Sequence, residues 1–241
     1  RETYERVLEL SPNHTRALFN LGMADYRAAR FEVAESWFER LLEVDRTERA
    51  AKACFQLGAI AAETGRKDRA VHWYREAVRR RPDYAEARNN LALVLEDVGR
   101  EGEAIEALRK ATALEPVNAA AHYNLGRLLA DRGEVDAAID ALTVASEAER
   151  NLVKAHLRLA ELLQETGRYD RVVAPLERVF TVREGDAAVA EHLAEIHRRH
   201  ERYDEAELWL RRAIELRPTL GRLWNALGIV QARLEAHEGA I

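Results

Sequence analysis

The sequence predicts an all-α chain built by repeating one helix pair. Three observations predict it. A Leu followed by Gly or Ala recurs at Leu21-Gly22, Leu57-Gly58, Leu91-Ala92, Leu125-Gly126, Leu159-Ala160, Leu193-Ala194 and Leu227-Gly228. The successive spacings are 36 and then 34 five times. Between these marks apolar residues fall three, four or seven apart, the stripe of an amphipathic helix. Gly and Pro stand mainly in fixed columns, where helices would end.

Counting each repeat from six residues before the Leu places starts at Thr15, Ala51, Ala85, Ala119, Val153, Ala187 and Gly221. Residues 1–14 read as a partial repeat, the tail of a second helix with Val7 and Leu8 in core columns. Complete repeats are expected over 15–50, 51–84, 85–118, 119–152, 153–186 and 187–220, with a partial one over 221–241, all in a single array. In each first helix the eighth position is Gly or Ala, small enough for a facing helix to come close. Gly65, Gly99, Gly133 and Gly167 at the fifteenth position mark the turn, where a left-handed residue suits glycine. The second helix carries Ala34, Ala70, Ala104, Ala138, Val172 and Ala206 in one column. Phe38, Tyr74, Leu108, Leu142, Leu176 and Leu210 form the bulky column facing the small one. Pro12, Pro82, Pro116 and Pro218 stop that helix, and Asp83 and Asn118 are placed to cap the next.

Three departures stand out. The first repeat has two extra residues near Asp45–Arg49 and lacks the Pro, which predicts a longer loop. Pro175 falls well inside a second helix, predicting a kink or a late start, with looser stacking around Val172 and Val179. Glu201 replaces the turn Gly in a repeat that also holds His192, His197 and His200.

These columns resemble the tetratricopeptide repeat family in period, in the Leu-Gly and paired Ala columns, in the aromatic column and in the terminal Pro, over essentially all 241 residues. The resemblance implies antiparallel helix pairs stacked into a right-handed superhelical solenoid, with a concave face that holds a protein or peptide. It also implies that the second, fifth, sixth, ninth, twelfth and thirteenth positions line that face. The sixth position reads Asn20, Gln56, Asn90, Asn124 and Arg158. An amide offers one acceptor and two donors, so a row of them can bond an extended peptide backbone whatever its side chains. A similar Asn ladder occurs in the tetratricopeptide arm of O-linked N-acetylglucosamine transferases. Asn124, Lys154 and Arg158 also match three of the five positions of the family's carboxylate clamp, whereas Asn89 and Leu93 stand where Lys and Asn are required. The expected peptide contacts are therefore Asn20, Gln56, Asn90, Asn124, Lys154 and Arg158. Glu63, Asp97, Asp131 and Glu165 at the thirteenth position, with Glu96 and Glu161, make one wall acidic. Phe19, Phe55 and Tyr123 at the fifth position, with Met23 and Tyr26, are expected to form an apolar floor.

Composition bounds the remaining function classes. The net charge of −5 carries no basic stripe of the kind nucleic acid requires. No apolar run approaches the length that spans a bilayer, so no direct membrane insertion is expected. A single cysteine, Cys54, allows no internal disulfide and sits in a packing column, as an inert thiol. No phosphate loop, HExxH, CxxC or GxSxG occurs, so neither an enzyme nor a cofactor site is expected. His197 and His200 are three apart but lack a third ligand and stand beside Arg198 and Arg199, which argues against a metal. His122 and His156 share one packing column. Lys at only four positions against many Arg and Ala is a balance of GC-rich bacterial sequences, and a cytoplasmic setting is expected, with a periplasmic one as the alternative. Without a starting Met, and with Arg1 inside a helical pattern, the chain is expected to be a segment of a longer one, open to end-to-end pairing with another copy. The expected function is a non-catalytic scaffold that binds a partner peptide. The alternatives are the recognition arm of a larger enzyme, such as a glycosyltransferase or sulfotransferase, or a self-assembling array.

Overall fold

The computed structural model describes residues 1–238. They form helices α1 (Glu2–Leu10), α2 (Thr15–Arg27), α3 (Phe31–Val44), α4 (Glu48–Glu63), α5 (Lys67–Arg80), α6 (Ala85–Asp97) and α7 (Glu101–Leu114). They continue with α8 (Ala119–Asp131), α9 (Val135–Ala148), α10 (Val153–Glu165), α11 (Val173–Val182), α12 (Ala187–Arg199), α13 (Tyr203–Leu216) and α14 (Gly221–Glu238). The described residues contain no strand, so the fold class is the all-α one that the sequence predicts. Two compact units divide the chain, one of residues Arg1–Pro116 and one beginning at Val117. Within the first, α2 packs on α3, α4 on α5 and α6 on α7; within the second, α8 packs on α9, α10 on α11 and α12 on α13.

The helix pairs close through the small-residue column. At Gly58 the ring of Tyr74 lies where a Cβ would sit, 2.7 Å away, and Phe38 lies equally close at Gly22. At Ala92, Ala160 and Ala194 the facing residue is Leu, which lacks a ring and tolerates the methyl. The turn column is left-handed in all six complete repeats. Gly65, Gly99, Gly133 and Gly167 have φ of 73°, 75°, 80° and 70°, and Ala29 and Glu201 hold the same conformation at 54° and 57°. In each case the next N–H bonds the carbonyl five residues back, as Arg66 N to Ala61 O (2.8 Å) and Arg202 N to His197 O (3.0 Å). This is the double closure that satisfies the last carbonyls of a helix.

Two loop expectations are corrected. The extra residues near Asp45 lengthen a helix, not a loop: α4 starts at Glu48 and runs 16 residues, leaving only 45–47 as the connection. Asp45 causes this. It is buried, and it accepts from Thr47 N (2.7 Å) and Thr47 Oγ1 (2.6 Å), while Thr47 in turn caps α4. Asp83 does not cap α6. It stands one residue outside the cap position, which Tyr84 fills, and accepts from Arg81 instead (3.2 Å). Asn118 does cap α8, through Ala121 N at 2.9 Å.

Pro175 delays its helix, as expected. A short 3₁₀ turn over Tyr169–Arg171 precedes α11, which has 10 residues where the other second helices have 14. Pro175 then lies in the first helical turn, where its missing N–H has no intrahelical partner to lose. Clefts of about 550 and 650 Å³ flank α11, the first against α9 and α10 and the second against α13.

Candidate peptide-binding face

The first helices of successive pairs lie side by side within each unit, α2 beside α4 and α8 beside α10. Side chains from the predicted columns meet across them. In the first unit the Tyr26 hydroxyl on α2 donates to Glu63 on α4. Burial and that carboxylate push the Tyr26 phenol up to about 12. In the second unit the Lys154 ammonium on α10 lies 4.4 Å from the ring centre of Tyr123 on α8, and Arg158 donates to Asp131 at 3.4 Å. Gln164 on α10 meets His192 on α12 at 2.6 Å.

The six expected contact residues divide by what they already bond. Asn20 and Gln56 are half-buried, and their amides have no hydrogen-bond partner among the described residues. Asn90 is engaged: its Oδ1 accepts from Asn89 Nδ2 at 3.3 Å. Asn124 is half-buried on α8, and Lys154 is exposed with no carboxylate beside it. Arg158 is shared between Asp131 (3.4 Å) and Glu161 (3.3 Å). The charge that a peptide carboxylate would need at Arg158 is thus largely answered from within.

The acidic wall is also partly answered. Lys67 reaches Asp97 at 3.0 Å, and Tyr26 bonds Glu63. Glu165 is exposed without a partner among the described residues. The apolar floor is corrected in part. Phe55 is buried and packs on Tyr74 and Tyr84, with ring centres 5.6 and 5.2 Å apart, and Phe19 packs edge-on against Phe38 at 5.7 Å. Phe19 and Phe55 reach the ring that the second helix of their own pair brings over Gly22 and Gly58, whereas Gly126 is faced by Leu142, which offers Tyr123 no ring. Phe19, Met23, Tyr26 and Tyr123 stay partly exposed, Tyr123 under Lys154.

The histidines behave as packing groups. His156 is buried, with Nε2 3.1 Å from the Arg150 carbonyl. His197 is buried, and its desolvation lowers its pKa, while His200 stacks on Tyr169 at 5.0 Å. No group of three metal-ligating side chains gathers among the described residues. Cys54 is fully buried, which pushes its thiol up to about 11. The Gln164–His192 bridge was not foreseen from the sequence. Its signal was there: like Tyr123–Lys154 and Asp131–Arg158, it joins a later position of one first helix to an early position of the next.

The tetratricopeptide repeat model matches residues 1–53, 23–85, 55–113, 89–150 and 157–220. The chain belongs to the tetratricopeptide repeat family. Among solved structures, the C-terminal part of a tetratricopeptide repeat protein from Cytophaga hutchinsonii aligns with a TM-score of 0.70 at 16% identity, covering 94% of this chain and 92% of that one. A structure described as YrrB, a tetratricopeptide protein with an unusual peptide-binding site, aligns with a TM-score of 0.60 at 20% identity, covering 78% and 96%. At these identities the likeness is one of fold. Among curated proteins, human Protein O-mannosyl-transferase TMTC3 is 29% identical over 94 residues, which is 39% of this chain. The chain spans 10% of the length of that relative. Among the described residues no helix is long and apolar enough to cross a membrane.

Proposed function

We propose that this chain is a non-catalytic interaction module whose first-helix face binds an extended segment of a partner protein. Tetratricopeptide proteins are generally protein-interaction scaffolds, and the YrrB relative is described by its peptide-binding site. One observation carries the reading. Asn20 and Gln56 occupy the same column on neighbouring helices, half-exposed, with amides that nothing else in the described residues uses. A peptide backbone laid across α2 and α4 would give each amide a donor and an acceptor. In the second unit, taken by itself, Asn124 and Lys154 are the proposed contacts, with Lys154 offered to an acidic group. Arg158 would join only by exchanging an internal carboxylate for the partner's. Asn90, already tied to Asn89, contributes least.

Affinity capture with the chain and with an Asn20→Ala/Gln56→Ala form tests this. The double variant is expected to lose its captured partner while melting at an unchanged temperature. An Asn90→Ala form is expected to keep the partner. Equal capture by all three forms refutes the amide contacts.

A second reading has one observation in its favour. Human TMTC3, named as a transferase, is 29% identical to this chain over 94 residues and much longer than it, which is compatible with a recognition arm. On this reading the present face recruits the substrate protein of a catalytic region elsewhere. The sequence of the full-length chain decides between the two.

A further inference from the structure

The cleft between α9, α10 and α11 lies away from the face just described. Its lining on α10 is His156, Leu159 and Leu163, whereas Lys154 and Arg158 occupy the opposite side of that helix. The cleft holds about 550 Å³, within the range of small-molecule sites. It exists because Pro175 and the preceding 3₁₀ turn leave the first residues of a normal second helix unfilled.

Its charge is unusual for this chain. Carboxylates outnumber Lys and Arg, 42 to 37, and many arginines are paired, as Arg79 and Arg80 are with Glu76. Arg150, Arg171 and Arg178 all line the cleft, and none meets a carboxylate among the described residues. Arg178 is held in place by the Arg150 carbonyl (2.9 Å) and Asn151 Oδ1 (3.1 Å), which orients its guanidinium without neutralising it. Glu147 is the one acidic residue of the lining. The apolar wall is Leu159, Leu163, Ala174 and Pro175. His156, 7% exposed, adds a buried Nδ1 that has no partner, its Nε2 being used by the Arg150 carbonyl.

We infer that this cleft binds a small organic anion, an apolar body carrying a carboxylate head. Guanidiniums with no internal carboxylate gain most from one, because no existing ion pair has to break. The apolar wall takes the body of the ligand out of water.

The test uses the full 241-residue chain. Anilinonaphthalene sulfonate serves as a fluorescent anionic probe, and decanoate and decanol serve as competitors of like chain length. Saturable probe binding is expected, displaced by decanoate and at least about tenfold less well by decanol. Arg150→Gln/Arg171→Gln removes two exposed guanidiniums that hold nothing else, so the melting temperature should not move while decanoate affinity falls about tenfold or more. Ala174→Phe fills the cleft and should abolish binding of probe and competitor. Equal displacement by decanol, unchanged affinity in the double variant, or retained binding in Ala174→Phe overturns the inference. Displacement by inorganic phosphate as effective as that by decanoate overturns the role given to the apolar body.

Discussion

In the pair α4–α5 the ring of Tyr74 rests on Gly58, Phe55 stacks between Tyr74 and Tyr84, and Leu57 and Ile60 are fully buried. In the pair α10–α11 the column residue is Leu176 over Ala160, the second helix starts four residues late, and clefts open on both of its flanks. The two pairs share one sequence plan and differ in the size of what fills it. Large rings and a full-length second helix leave little space in the first. A proline and a shortened helix leave the second with its stripe buried but its outer surface open. A repeat array tolerates this because each pair needs to satisfy only its neighbours, so one loose pair does not unravel a shared core.

Truncating the same column tests that difference most severely. Leu57→Ala should cost about 4–5 kcal/mol and Leu159→Ala about 2–3 kcal/mol, measured by urea denaturation. Leu57 is enclosed on all sides, whereas Leu159 lines the cleft and leaves a wall that already borders open space. Equal losses would break the contrast between the pairs. Next in size is the small-residue column. Gly58→Ala should cost about 1–3 kcal/mol, because the rigid ring of Tyr74 must move. Gly126→Ala should also cost about 1–3 kcal/mol, because a Cβ there would meet Leu142 Cγ at 2.7 Å and the Ala138 carbonyl at 3.1 Å. A cost near zero at both glycines would deny the close helix approach its role.

Acid separates the pairs differently. Glu76 on α5 is held down to about 2, chiefly by hydrogen bonds from Arg79, with burial opposing and Arg80 adding to the effect. A carboxylate depressed in the folded state contributes stability above its unfolded value of 4.5, and loses it as pH falls through about 2. Glu76 and Arg80 are 19% and 20% exposed but Arg79 is 71% exposed, so Glu76→Gln should cost about 1 kcal/mol at pH 7 and nothing near pH 2. Arg171→Gln beside α11 should change stability at neither pH, having no carboxylate to lose. Parallel pH profiles for Glu76→Gln and the parent would refute the ion cluster's contribution.

Much of this was legible in the sequence because a stacked repeat must show the same residue types every 34 positions. The helix pairs, the left-handed turn, the delayed α11 and the inert Cys54 all follow from columns. What escaped depends on contacts that no column encodes. Asn90 and Gln56 are equivalent in sequence, yet Asn90 accepts from its chain neighbour Asn89 at 3.3 Å. The aromatic floor loses Phe55 for a related reason: it packs on the ring that Tyr74 brings over Gly58. Asp45 decided its own connection by binding Thr47, a local choice that insertion length alone does not reveal.

The smallest expected effect concerns the turn column, where four glycines sit between two residues that carry a Cβ. Ala29 and Glu201 adopt the left-handed conformation at φ 54° and 57° and close their helices with Arg30 N to Asp25 O (2.9 Å) and Arg202 N to His197 O (3.0 Å). Gly65 does the same with Arg66 N to Ala61 O at 2.8 Å. The hydrogen bonds are alike, so only the Cβ differs. A non-glycine residue costs about 1–2 kcal/mol in this region. Glycine returns about 0.5–1 kcal/mol of that through its freer unfolded chain. Ala29→Gly and Glu201→Gly should therefore each stabilise by about 0.5–1 kcal/mol, and Gly65→Ala should destabilise by a similar amount, read as shifts in thermal midpoint. Substitutions of opposite sign at one column isolate the backbone, since Gly65 has nothing within 4 Å of its missing Cβ for a methyl to strike. If all three changes destabilise, the Cβ at Ala29 and Glu201 is packed usefully and the shared turn geometry is not what sets the energy.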